Sequence, residues 1–124
     1  MSRLWHSGRE SHLLDDIIAG RKTIEGRLNR GKFSKYRVGD VVALRRDLRD
    51  DSGVLRDGEP DAARVEAVAI RHYETFLAMV QAEGWQHVIP SAGSTEAAAA
   101  EYDRYYTSTD QRVYGVLAIE VRTI

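Results

Sequence analysis

The chain contains no cysteine and only two prolines among its 124 residues. The absence of cysteine excludes disulfides, thiolate nucleophiles and thiolate metal sites. No apolar run approaches the roughly 18 residues of a transmembrane helix, and the polar start Met-Ser-Arg-Leu-Trp-His-Ser is unlike a signal peptide. These absences predict a cytoplasmic protein that does not associate with a membrane.

Other chemical signatures are missing as well. The four histidines include no pair spaced four residues apart, which argues against a helical metal site. The chain has no glycine-rich phosphate loop, no Gly-x-Ser-x-Gly element and no internal repeat. We therefore expect neither a metal nor a cofactor, and no nucleotide hydrolysis by those routes.

The periodicity of the apolar residues predicts an α+β fold in a single domain, 1–124. Hydrophobic residues make up 43% of the chain, enough for one core but not for two. Strands are predicted at 22–28, 40–45, 62–70 and 113–122. Helices are predicted from Ser11 to Gly20, over 73–84 and over 96–106, with connections at 46–61 and 107–111. This order indicates a small, mostly antiparallel sheet or barrel.

One stretch of the sequence indicates a functional site: Gly20-Arg21-Lys22-Thr23-Ile24-Glu25-Gly26-Arg27. In an extended chain Thr23, Glu25 and Arg27 share one face, while Lys22 and Ile24 share the other. A polar row is costly to bury unless it is paired or lines a wet cleft. We therefore expect Ile24 to be buried, Glu25 and Arg27 to line a concave surface reached by solvent, and Lys22 to lie at its rim.

The charge of the chain is unevenly distributed. Its net charge is −1, yet residues 21–37 contain seven basic side chains and a single acid, so this segment carries +6. Such segregation favours a surface that faces a polyanion. The alternative is that an arginine-rich composition clusters by chance in one hairpin.

Gly20, Lys22, Glu25 and Arg27 match the motif Gly-x-Lys-x-x-Glu-x-Arg. With the strand Tyr-Gly-Val-Leu-Ala-Ile-Glu-Val near the C-terminus, the chain resembles the ASCH domain (activating signal cointegrator homology), part of the PUA-like group of RNA-associated β-barrels. The resemblance extends from about residue 13 to residue 121. It implies a PUA-like barrel of five or six strands with helices that cover its openings.

The resemblance also implies candidate chemistry. ASCH relatives that hydrolyse N4-acetylcytidine use a threonine with the motif lysine and a distant glutamate. Here Glu25 occupies the place of that threonine, and Glu83 is the best match to the distant glutamate. Ribonuclease activity in other ASCH relatives implies a lysine with tyrosine and serine hydroxyls, which Tyr105, Tyr106 and Ser108 could supply. The catalytic candidates are Lys22, Glu25, Glu83 and Ser108.

Binding alone requires less than catalysis: cations for phosphates and aromatic rings for bases. The candidate nucleic-acid-binding residues are Arg21, Thr23, Arg27, Arg30, Lys32, Arg45, Tyr73 and Tyr106. The leading hypothesis is a module that binds RNA, another single-stranded nucleic acid or a nucleotide-like small molecule, with ribonuclease activity as an extension. The alternatives are an amidohydrolase that acts on an acylated nucleoside such as N4-acetylcytidine, and a protein-interaction module with a solvated charged face.

Overall fold

The computed structural model describes residues 2–124. Its strands are β1 (Leu4–Glu10), β2 (Ile24–Leu28), β3 (Val41–Arg49), β4 (Leu55–Asp57), β5 (Ala63–Tyr73) and β6 (Val116–Thr123). Its α-helices are α1 (Ser11–Ile18), α2 (Phe76–Glu83), α3 (Trp85–Val88), α4 (Thr95–Asp103) and α5 (Ser108–Tyr114), and a 3-10 helix spans Gly31–Lys35. Within residues 2–124, no helix is long and apolar enough to cross a bilayer.

The strands form one sheet in the order β1-β3-β5-β6-β2, with β4 paired to the far end of β3. Among the strands of residues 2–124, β1 and β3 run parallel, and the other pairs are antiparallel. The α+β prediction with a mostly antiparallel sheet is confirmed. β1 and β2 are opposite edges of the sheet, yet Arg9 of β1 and Glu25 of β2 are joined by a 2.8 Å ion pair. The sheet therefore curls until its edges meet, without closing into a hydrogen-bonded barrel.

Two apolar clusters hold the helices against this sheet. Leu14 and Ile17 of α1 pack on β3, β5 and β6 in the first cluster. The second cluster places Phe76, Met79 and Val80 of α2 against β2, β6 and α4. Leu77 of α2 is exposed, because the residues three and four positions after Phe76 face the sheet.

The largest errors of the sequence reading lie in two predicted connections. Within 46–61, β3 continues to Arg49 and β4 follows. These strands are only weakly apolar, but β3 pairs with both β1 and β4, and this pairing stabilises them. The predicted turn at 107–111 instead begins α5, whose Thr107 side chain accepts a hydrogen bond from the Asp110 backbone nitrogen at 3.0 Å. The last strand starts only after Gly115, which has a φ of 76°.

Candidate binding cavity

A cavity of about 600 Å³ lies where β1, β2 and the end of α4 meet, and we call it the central cavity. Four buried or half-buried charged side chains line its inner end and are named the floor cluster: Arg9, Lys22, Glu25 and Arg27. Tyr102 and Tyr106 also line the cavity, whereas exposed side chains such as Tyr105 surround its mouth. This volume falls within the roughly 300–1,000 Å³ typical of sites that hold one small ligand.

Glu25 is the only acid of the floor cluster. Its Oε2 accepts a hydrogen bond from Arg9 Nε at 2.8 Å and lies 3.6 Å from Arg27 Nη2. Burial acts to raise the pKa of this carboxyl, but the positive charges of Arg9, Lys22 and Arg27 outweigh burial and lower the pKa to about 2. Glu25 is therefore an ionised counterion for the arginines, and Ile24 beside it is buried as expected.

Lys22 does not lie at the rim, which corrects the expectation from strand alternation. β2 begins only at Ile24, so Lys22 is outside the alternating strand, and its side chain is turned into the protein. Its Nζ donates to the backbone oxygens of Ile24, at 2.7 Å, and of Val88. Burial lowers the pKa of Lys22 to about 8, while the negative charge of Glu25 acts in the opposite direction.

The floor cluster carries more positive than negative charge. Three cations surround one carboxylate, which gives a net +2 when Lys22 is protonated. Arg27 Nη1 donates to the Gly26 carbonyl oxygen at 3.2 Å, but Arg27 Nε and Glu25 Oε1 are buried without a hydrogen-bond partner. Because buried charges are costly unless they are paired, this surplus favours an anionic or strongly polar ligand.

Two tyrosines are fixed beside the floor cluster by packing. The Tyr102 ring stacks on Phe76 with centroids 4.3 Å apart, and the Tyr106 ring stacks on the same phenylalanine at 5.1 Å. Gly26 makes this approach possible, since a Cβ at that position would lie 2.7 Å from the Tyr102 hydroxyl oxygen. Burial raises the pKa of Tyr102, so its hydroxyl remains protonated.

Glu83 and Ser108 do not line the central cavity. Glu83 instead accepts hydrogen bonds from Arg71, both at 2.7 Å, and from the Tyr73 hydroxyl at 2.6 Å. Ser108 is exposed in the first turn of α5. The structure therefore brings neither of these catalytic candidates to Lys22, and it commits Tyr73 to a contact outside the cavity.

The predicted basic segment does not form one free cationic patch. Arg21 pairs with Asp16 at 2.8 Å, and Arg30 lies 3.5 Å from Asp110. The Lys32 ammonium donates to the His6 carbonyl oxygen at 2.6 Å.

Two further candidates are also placed away from the central cavity. Arg45 is held by Asp47 at 2.6 Å. Thr23 is half-buried and lines a separate, smaller hollow beside Val121. Of the eight predicted binding residues, only Arg27 and Tyr106 line the central cavity.

Sequence reasoning missed Arg9 and Tyr102, and it named Tyr105 only as a possible source of a hydroxyl. Nothing near Arg9 marks it as buried, because its burial depends on the meeting of the two sheet edges. Tyr102 had a usable signal: it lies four residues after Ala98, and both face the core from α4. Within the described part of the chain, no group of three histidine, aspartate or glutamate side chains could hold a metal ion.

Comparisons with known proteins place these observations in context. A family model described as the ASCH domain matches residues 11–124. The sequence of this chain is 30% identical to that of the hypothetical protein PH0355. The crystal structure of that protein matches this structure with a TM-score of 0.80 over 98% of this chain and 99% of that one. The solution NMR structure of protein PF0455 from Pyrococcus furiosus is also 30% identical, with a TM-score of 0.75 over 98% and 97%. None of the curated proteins compared with the chain matches it.

Proposed function

Because this chain belongs to the ASCH domain family, which is consistent with RNA binding, we propose that it binds single-stranded RNA by taking one nucleotide into the central cavity. The observation that carries the proposal is the surplus of buried positive charge in the floor cluster. An RNA strand supplies negative charge at every nucleotide, and unpaired bases also carry carbonyl oxygens that accept hydrogen bonds.

The dimensions and lining of the cavity support a single nucleotide. About 600 Å³ accommodates one small ligand and not a folded strand. Tyr102 and Tyr106 add aromatic surface next to the cations, and rings of this kind interact with bases of any sequence. Arg27 has the most exposed side chain of the floor cluster, at 20%, so it is the best placed to touch a ligand.

The floor cluster supports binding better than hydrolysis. A carboxylate with a pKa of about 2 is a weak base toward water, and Glu25 is already bonded to Arg9. Glu25 stands in the place of the threonine, so an acyl group bound to it would form an anhydride rather than an ester. We therefore propose weak or no hydrolysis of N4-acetylcytidine. The second candidate function is ribonuclease activity, because Lys22 has a pKa of about 8.

The binding proposal is tested by fluorescence anisotropy with a labelled single-stranded RNA octamer. We expect Arg27→Gln to weaken binding about tenfold or more, because it removes a desolvated cation that the ligand touches. Arg64→Gln is the matched control: it removes the same charge from an exposed pair with Asp61 outside the cavity. Equal affinities for both variants and the unmodified chain, with melting curves that show folded protein, would overturn the proposal.

A turnover assay separates binding from chemistry. The purified chain is incubated with N4-acetylcytidine and, separately, with single-stranded RNA, and the products are followed by chromatography. If RNA is cleaved, Lys22→Ala should abolish cleavage and keep much of the binding, because one of several cations is removed. Substantial release of acetate from N4-acetylcytidine, abolished by Lys22→Ala or Glu25→Ala, would favour the amidohydrolase instead.

A further inference from the structure

Three tyrosines line the central cavity, but one of them differs from the others. Tyr102 and Tyr106 both stack on Phe76 and belong to an apolar cluster. Tyr105 is 65% exposed, and its ring lies 5.9 Å from the guanidinium carbon of Arg104. An aromatic ring this exposed at the mouth of a cavity has a free face for a ligand.

The hairpin of β3 and β4 lies beside Tyr105 at the mouth. Its contributions are Arg49, with a side chain 44% exposed, and Leu55, which is 41% exposed. Arg49 is held in place by Glu10 at 2.6 Å and by the Gly53 carbonyl oxygen at 2.9 Å. The mouth therefore offers a positioned guanidinium and an exposed ring within one opening.

From this arrangement we infer that the ligand of the central cavity is one nucleotide of a continuous strand, whose neighbouring base stacks on Tyr105 outside the cavity, near Arg49. The inference rests on the proposed function, and it adds where the neighbouring nucleotide of the strand is held: on Tyr105, beside Arg49. The cavity holds one nucleotide by volume, so the rest of a strand has to leave through the mouth. A base that leaves there passes the exposed ring, and its linking phosphate passes the guanidinium.

The experiment measures affinity as a function of ligand length. Titration calorimetry compares uridine and adenosine 5′-monophosphates with the corresponding dinucleotides and tetranucleotides. One stacked base contributes roughly 5- to 150-fold in affinity, so we expect dinucleotides to bind at least fivefold more tightly than mononucleotides. Tetranucleotides should add little beyond this step.

Variants at the mouth identify the source of that gain. Tyr105→Ala should bring the ratio of dinucleotide to mononucleotide affinity close to one, and Tyr105→Phe should restore it, since stacking needs the ring and not the hydroxyl. Tyr114→Ala is the control, because Tyr114 is also an exposed tyrosine, at 42%, but does not line the cavity. Its ratio should equal that of the unmodified chain.

The outcomes separate this inference from the function on which it rests. Mononucleotides that bind as tightly as dinucleotides would overturn the inference and leave a nucleotide-binding cavity. A ratio that is unchanged in Tyr105→Ala would also overturn it, since the second base would then lie elsewhere. If no ligand of any length binds, the proposed function fails, and the inference fails with it.

Discussion

Two clusters of charged side chains lie at different places on the same sheet, and they are built differently. The floor cluster joins the edge strands β1 and β2, and the side chains of Arg9 and Glu25 are each only 6% exposed. The second, which we call the outer cluster, joins β5, β6 and α2 through Arg71, Tyr73, Glu83 and Glu120. Arg71 in its centre is 39% exposed.

The two clusters differ in exposure to water and in how completely their polar atoms are hydrogen-bonded. Arg71 makes hydrogen bonds to both glutamates of the outer cluster at 2.7–2.8 Å, and water reaches Arg71 and Glu120, whereas Glu83 is only 8% exposed. The floor cluster is short of negative charge and contains two buried polar atoms without partners. A paired and hydrated cluster is sufficient as a structural link. A buried cluster with excess positive charge and unpaired polar atoms is where a functional site is expected.

The strongest test of this contrast is Glu25→Ala, for which we expect a loss of about 3–5 kcal/mol in the free energy of unfolding. The substitution leaves the buried Arg9 and Lys22 and the half-buried Arg27 without their counterion. Urea denaturation followed by circular dichroism measures the change. A loss below about 1 kcal/mol would place Glu25 among ordinary surface pairs and remove the contrast.

Acid titration should reveal the same carboxylate. The folded-state pKa of Glu25, about 2, is below its ordinary value of 4.5, so the folded chain binds this proton less readily than the unfolded chain. The stabilisation is complete above about pH 4.5 and is lost as the pH falls toward 2, by on the order of 3 kcal/mol. The measurement is the stability difference between the unmodified chain and Glu25→Gln from pH 6 to pH 2. A constant difference would contradict it.

Glu83→Gln should cost less, about 1–2 kcal/mol, because Arg71 keeps Glu120 as a partner and remains partly hydrated. The same denaturation measurement applies. We also expect RNA affinity to be unchanged, because Glu83 does not line the central cavity. A variant that loses RNA binding while staying folded would return Glu83 to the site that the sequence suggested.

The smallest effect is expected for the exposed pair of Asp61 and Arg64, whose side chains are 46% and 45% exposed. Asp61→Asn keeps a residue type that tolerates the positive φ of 50° at this position. The urea midpoint should not move beyond experimental error. A clear shift would show that hydrated pairs matter more in this protein than the contrast between its clusters implies.

The sequence was sufficient for the parts of the fold that depend on local patterns. The helical spacing of apolar residues predicted α1, whose Leu14 and Ile17 are buried, and Ile24 identified the inward face of β2. The apolar run after Gly115 identified β6. β4 and α5 were missed because their residues are mostly exposed, so pairing and capping decide their structure, and hydrophobic periodicity does not.

The candidate site was predictable only where it follows the motif. Glu25 and Arg27 line the cavity together, as strand alternation required. Arg9 was not predictable, because it meets Glu25 only after the whole sheet has curled. Glu83 was assigned by resemblance to a distant glutamate, but Arg71 and Tyr73 hold it in the outer cluster.

The ion pair between Arg9 and Glu25 makes the curl of the sheet sensitive to what the cavity contains. Main-chain hydrogen bonds do not join β1 to β2, so this seam is held by side chains that also line the central cavity. An anion that competes with Glu25 for Arg9 therefore loosens the seam. Conversely, a firmer seam weakens the binding of that anion by the same free energy. Occupancy of the cavity and separation of the two sheet edges are thus one linked equilibrium.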